Sequence, residues 1–201
     1  MKPVIWGWAG ITLLALYGCL SLGGTTPPSR FFVLTAPRLE PLPQQVAAGQ
    51  VLLLPTVSMP AYLDRPQLVT RSGAELHIAP FERWGEPLAQ GITRVLAEVL
   101  QESLPPLVVT AGDNAVTGAA PLVLYIALER AEGDAQARQV VLQARWRLES
   151  SAGRIVARGT TALNEPWQGT GADALVAAYD KVLGRFGREL AETVAHHMLS
   201  P

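Results

Sequence analysis

Apolar residues are spaced in three ways along this chain, and each spacing predicts a different element. Period two marks strands, because successive side chains of an extended backbone point to opposite faces. It is sharpest over Gln139 to Glu149, where Val140, Leu142, Ala144, Trp146 and Leu148 alternate with Gln143, Arg145, Arg147 and Glu149. That pattern predicts a strand with one buried and one solvated face. Leu122 to Arg130 alternates before it, and Arg154 to Leu163 follows a Ser151-Ala152-Gly153 turn, so the three are expected to form an antiparallel meander. Shorter apolar runs predict strands at Phe31 to Thr35, Val51 to Val57 and Leu107 to Thr110. Pro55 has no amide hydrogen to donate, which places the second of these at an edge or a bulge. Gln67 to Arg71 and Glu75 to Ala79 flank Ser72-Gly73 and are expected to close as a hairpin.

Helical spacing occurs twice. Leu88, Ile92, Val95, Leu96, Val99 and Leu100 share one helix face, in a run that ends before Pro105-Pro106. Proline is tolerated only in a first turn, so Pro87 sets the start of this helix near Glu86. Leu175, Tyr179, Val182, Leu183, Phe186, Leu190 and Val194 predict a last helix over about Ala172 to Leu199. The resulting order, ββββαββββα, predicts an α+β fold in which two amphipathic helices pack on one face of a mostly antiparallel sheet.

The third pattern has no period. Val4 to Leu16 is a largely apolar run of 13 residues behind Lys2, and the next charge is Arg30. Crossing a bilayer takes about 20 apolar residues, so the run reads as a signal peptide over residues 1–18, with an uncleaved anchor as the second reading. Cys19 is the only cysteine, which excludes an intramolecular disulfide. It ends the tetrapeptide Leu16-Tyr17-Gly18-Cys19, which resembles the bacterial lipobox and makes Cys19 the expected lipidation site. Residues 19–30, rich in Gly, Thr, Pro and Ser, then read as a lipidated N-terminus and flexible tether, and 31–201 as a single exported domain. More than one acyl chain is needed for stable attachment, so the protein is expected to be anchored to a membrane, not to span it.

Composition narrows the function classes. The 201 residues are 49% hydrophobic and only 16% charged, which excludes intrinsic disorder. A formal charge of -1 gives no bulk attraction to nucleic acid. Catalytic signatures are weak: no serine sits in G-x-S-x-G, and the one thiol belongs to the N-terminus. Gly169-Thr170-Gly171-Ala172-Asp173-Ala174 matches a dinucleotide fingerprint, but that fingerprint needs a strand before it and a second parallel strand after it. It reads instead as a joint into the last helix, with Asp173 suited to the helix dipole. His196 and His197 are adjacent, not spaced i and i+4, and His77 stands alone in a strand, so no metal is expected. The chain is expected not to be an enzyme and to need no cofactor beyond the N-terminal lipid.

What remains is a segment that mixes aromatic residues with arginine, the types enriched at protein interfaces. Tyr62-Leu63-Asp64-Arg65-Pro66 with Arg71, then Arg83-Trp84-Gly85-Glu86-Pro87-Leu88, makes Tyr62, Leu63, Asp64, Arg65, Arg71, Arg83 and Trp84 the candidate partner-binding residues. For each side chain alone, core packing is the competing reading. Together with the export signal and Cys19, these motifs resemble the ABC-type transport auxiliary lipoproteins, the paraquat-inducible protein C family, over most of residues 19 to 199. The resemblance implies a non-catalytic, periplasm-facing lipoprotein that serves an MCE-domain protein and an inner-membrane permease and ATPase in moving phospholipid between membranes. Leu20 after Cys19 implies outer-membrane sorting. A periplasmic lipid carrier with its own apolar cavity is the alternative, and self-association is left open.

Overall fold

The computed structural model describes residues 27–43, 46–112 and 122–199. Among these, eight strands and two helices follow in the order read from the sequence: β1 (Arg30–Phe32), β2 (Val51–Leu54), β3 (Gln67–Ser72), β4 (Glu75–Trp84), α1 (Leu88–Ser103), β5 (Val108–Ala111), β6 (Leu122–Asp134), β7 (Gln139–Glu149), β8 (Ile155–Pro166) and α2 (Gly171–Leu199). All eight strands join one sheet.

β6 is its spine. One edge of β6 takes β7 antiparallel over nearly its whole length, and β8 pairs beyond β7, which is the expected meander. The other edge is shared between two shorter strands. β2 lies parallel to the start of β6, with Leu52 opposite Leu122, and β3 lies parallel to its end, with Thr70 opposite Gly133. β5 extends the sheet beyond β2, while β4 and then β1 extend it beyond β3, so the sheet forks. The β3–β4 hairpin turns through Gly73, whose φ of 61° suits a residue without a Cβ.

The expectation of a mostly antiparallel sheet is corrected by these pairings. Four of the seven strand pairs are parallel, β1 with β4, β2 with β5, and β2 and β3 with β6, so the sheet is mixed. Parallel partners need long connections, and here the hairpin and α1 separate β2 from β5. Leu52 and Leu54 are fully buried, as the unbroken apolar run of a covered strand implies.

The core lies between the sheet and the helices. Leu124, Ile126 and Leu128 of β6 and Val140, Leu142, Ala144 and Leu148 of β7 face the stripe of α1 around Ile92, Val95, Leu96 and Val99 and that of α2 around Tyr179, Val182, Phe186 and Leu190. α1 follows Pro87 directly, as its missing N–H permits. The helices approach closely at Gly187, where a Cβ would fall 2.4 Å from Cγ1 of Val99. The opposite face of the meander carries Tyr125, Arg145, Arg147 and Arg158, the polar half of the alternation.

Candidate docking site

The motif residues meet where the sheet forks. Between the Ser58–Ala127 bridge and the Thr70–Gly133 pair, the edge of β6 has no strand partner, and residues 59–66 fill the gap as a loop. Its turns are closed by the Leu63 amide on Pro60 O at 2.9 Å and the Arg65 amide on Leu63 O at 2.8 Å. Leu63 is 1% exposed and pins the loop in the core. The Trp84 amide donates to Pro66 O at 2.7 Å, so the end of β4 is tied to the same loop.

Beneath the loop lies a fully buried carboxylate that the sequence reading did not single out, Glu132 of β6. Its Oε1 is 2.9 Å from Nε of Arg71 and 2.8 Å from Nε of Arg130. Its Oε2 accepts from the Tyr62 hydroxyl at 2.9 Å and from the Ala131 amide at 3.2 Å. A buried anion is tolerated only when paired and hydrogen-bonded, and Glu132 is both. The Arg71 guanidinium lies 5.2 Å from the centre of the Tyr62 ring. On the helix side, the Tyr179 hydroxyl of α2 donates to Ala131 O at 2.6 Å, and the Tyr179 ring meets Trp84 edge-on with 5.4 Å between centroids.

Local chemistry follows from this packing. Burial pushes the Tyr62 phenol up, and the hydrogen bond to anionic Glu132 pushes it further. Burial works to lower Arg71, but Tyr62 and Glu132 outweigh it and leave Arg71 raised and charged. Burial also raises Tyr179. None of these groups is set to exchange a proton near neutral pH.

Tyr62, Arg71 and Trp84 thus face inward, and Leu63 is core. Asp64, Arg65 and Trp84 line a cavity of about 310 Å³ together with Pro66, Gly85, Glu86, Pro87 and Leu88. Arg83 sits half-buried in β4, between Gln67 and Phe31 in the ladder, and does not line it. Glu86 is committed to Arg94 of α1 at 2.6 Å. Arg65 is different: its Nε is buried and has no acceptor among the described residues. An unsatisfied buried donor costs about 1–3 kcal/mol, so this side chain is held at some cost to stability.

The remaining candidates fall elsewhere. Cys19 and the apolar run lie outside the described residues. The described residues contain no helix long and apolar enough to cross a membrane and no cluster able to hold a metal ion. His197 uses Nδ1 on Thr193 O at 2.9 Å, and exposed His77 stands 3.9 Å from Glu75. For the glycine fingerprint one detail is corrected: a strand does lead into it, since β8 runs on to Pro166. No described strand follows α2, however, and Gly169 and Gly171 adopt φ of 102° and 82°, as a joint between strand and helix requires. Asp173 stands in the first turn of α2 and pairs with Arg30 at 2.7 Å.

Comparison with known proteins places the chain. The model of the ABC-type transport auxiliary lipoprotein component matches residues 32–191, and the chain belongs to that family. Among solved structures, an uncharacterized protein superposes with a TM-score of 0.70 at 20% identity, covering 84% of this chain and 99% of its own. Protein XCC0632 from Xanthomonas campestris gives 0.69 at 22% identity, with 84% and 96% covered. The hypothetical protein CT253 from Chlamydia trachomatis gives 0.50 at 11% identity, with 77% and 100% covered. At such identities the likeness is one of fold. No curated protein sequence matches the chain.

Proposed function

We propose that this chain is a non-catalytic lipoprotein subunit of an MCE-type intermembrane lipid transport system, and that the cavity beside Arg65 is where it docks its MCE-domain partner. Residues 1–18 act as the signal peptide, Cys19 carries the lipid, and residues 19–30 tether the 31–201 domain on the periplasmic side of the outer membrane. Membership of the transport auxiliary family supports the setting. The docking reading rests on one observation, an arginine in the cavity wall whose buried Nε has no hydrogen-bond partner among the described residues. A carboxylate or carbonyl of the partner would satisfy it while apolar atoms fill the space beside Trp84 and Leu88, the mix of arginine and aromatic that dominates binding energy in interfaces.

The test is capture of the full chain, in mild detergent, by an MCE-domain protein from the same organism. Arg65→Glu should reduce capture at least tenfold while leaving the thermal unfolding midpoint no lower than the wild type's. Absence of capture by the wild-type chain, or a lowered midpoint with undiminished capture, would count against docking at this cavity.

A further inference from the structure

A second concavity lies on the face of the meander turned away from the helices. It is a groove of about 750 Å³ whose wall is mostly apolar, bounded by the segment after β2 and by strands β6, β7 and β8. Tyr125, Arg147 and Arg158 stand in one row across the three strands, and Arg145 lies in the adjacent row. Arg147 and Arg158 are direct cross-strand partners. Like charges in that relation repel, since opposed Cβ atoms are only about 5 Å apart. The neighbouring carboxylates relieve this in part: Arg145 pairs with Glu129 at 2.8 Å and Arg147 with Glu149 at 2.6 Å. Arg158 has no ion-pair partner among the described residues. The Arg147 guanidinium is also held 4.2 Å from the centre of the Tyr125 ring, which fixes it over the groove.

We infer that this groove binds the phosphate headgroup of an anionic phospholipid. One phosphate set between Arg147 and Arg158 turns their repulsion into two charge-assisted contacts, and guanidinium matches phosphate geometry in a bidentate way. Charge alone would suit any anion. The apolar part of the wall, with Pro55, Ile155 and the Tyr125 ring, favours one that also carries glycerol and acyl carbons. Ile155 is 49% exposed, and a bound amphiphile would cover it. This inference does not rest on docking at the Arg65 cavity, which is lined by other residues.

The experiment is isothermal titration of the full chain in a non-ionic detergent with dihexanoyl phosphatidylglycerol, dihexanoyl phosphatidylcholine, inorganic phosphate and an oligoglutamate peptide. Phosphatidylglycerol should bind at least tenfold more tightly than the other three. The Arg147→Gln/Arg158→Gln double variant should lose at least tenfold of that affinity, with an unfolding midpoint equal to or above the wild type's. Arg154→Gln removes one exposed charge outside the groove lining and should change affinity less than twofold. Equal binding of phosphatidylcholine or of phosphate alone would overturn the assignment of an anionic amphiphile. Tighter binding of the peptide would transfer the groove to a protein partner. Undiminished binding by the double variant, or equal loss in Arg154→Gln, would overturn the site itself.

Discussion

Glu132 shows what a single buried charge does for this fold. It bridges β3 through Arg71, the 59–66 loop through Tyr62 and its own strand through Arg130, so the loop and the strand that follows it are both tied to β6, 70 residues beyond Tyr62, by one carboxylate. Glu132→Gln leaves both guanidinium groups short of a counter-charge. Breaking a buried pair costs about 3–5 kcal/mol, and because the two arginine side chains are 27% and 29% exposed, about 2–4 kcal/mol is the expected loss here. Tyr62→Phe removes one hydrogen bond to the same anion and should cost less, about 1–2 kcal/mol. Urea unfolding of both variants checks the ranking, and the reverse order would mean that Glu132 does not anchor the loop. Asp180 links stability to pH. Burial raises Asp180 of α2 above its ordinary value, opposed by the Thr35 amide, which donates to it at 2.9 Å, and by Arg94. The native state therefore holds this proton more tightly than the unfolded chain does. Its contribution to stability is complete below the unfolded carboxylate value, about 3.9, and is lost as pH rises through the folded value. Asp180→Asn keeps an oxygen for Thr35 and removes the half-buried charge, so it should raise the unfolding midpoint at pH 7 and make little difference at pH 3.5. A midpoint lowered at pH 7 would show that the carboxylate is stabilising as an anion.

At the level of elements, helices and sheet obey different rules of legibility. The apolar stripes of α1 and α2, bracketed by proline and glycine, place both helices within about two residues of where they lie, because a helix carries its own period and its own stops. The meander is equally readable, since β6, β7 and β8 are neighbours in sequence and alternate clearly. β1, β2 and β5 are short and pair in parallel with strands far along the chain, and nothing in three or four apolar residues names such a partner. Strand ends were also hidden. Glu132 lies past the register irregularity between Leu128 and Arg130, beyond the stretch where the alternation is clear, so the pattern upstream does not fix which way it faces. A charged residue continuing a strand alternation, in a chain with arginine on neighbouring strands, is the signal that could have flagged it. The close approach of α1 and α2 is likewise a tertiary fact, and Gly187 makes it possible. Gly187→Ala forces a methyl onto Val99 and should cost about 1–3 kcal/mol despite alanine's better helix propensity. Val99→Ala in the same chain makes room, so the double variant should be more stable than the sum of the two single losses implies. Simple additivity would show that the helices already part at this point without strain.

For the molecule as a whole, the forked sheet assigns unequal roles to its parts. β6 is paired along one edge by β7 and at both ends of the other by β2 and β3, and the 59–66 loop closes the gap between them. Both cavities border on this framework: the Arg65 cavity beside the fork and the arginine groove across β6, β7 and β8. The motif Tyr62 to Arg71 and Arg83 to Leu88 was legible as one unit because it mixes arginine with aromatics. Its division into inward-facing anchors and a cavity-lining arginine was not, because only the fold decides which side chain turns to Glu132. The groove was legible only as the polar half of an alternation, since opposition of Arg147 and Arg158 depends on the register of β7 with β8. If β6 is the spine, its amides between Leu124 and Leu128 should open only with global unfolding, while those of β5, a four-residue edge strand bonded on one side to β2, open locally. Native-state hydrogen exchange should therefore show β6 protected to the full unfolding free energy and β5 well below it. Equal protection in the two strands would mean that the fork unfolds as one cooperative unit and that no part of the sheet is subordinate to β6.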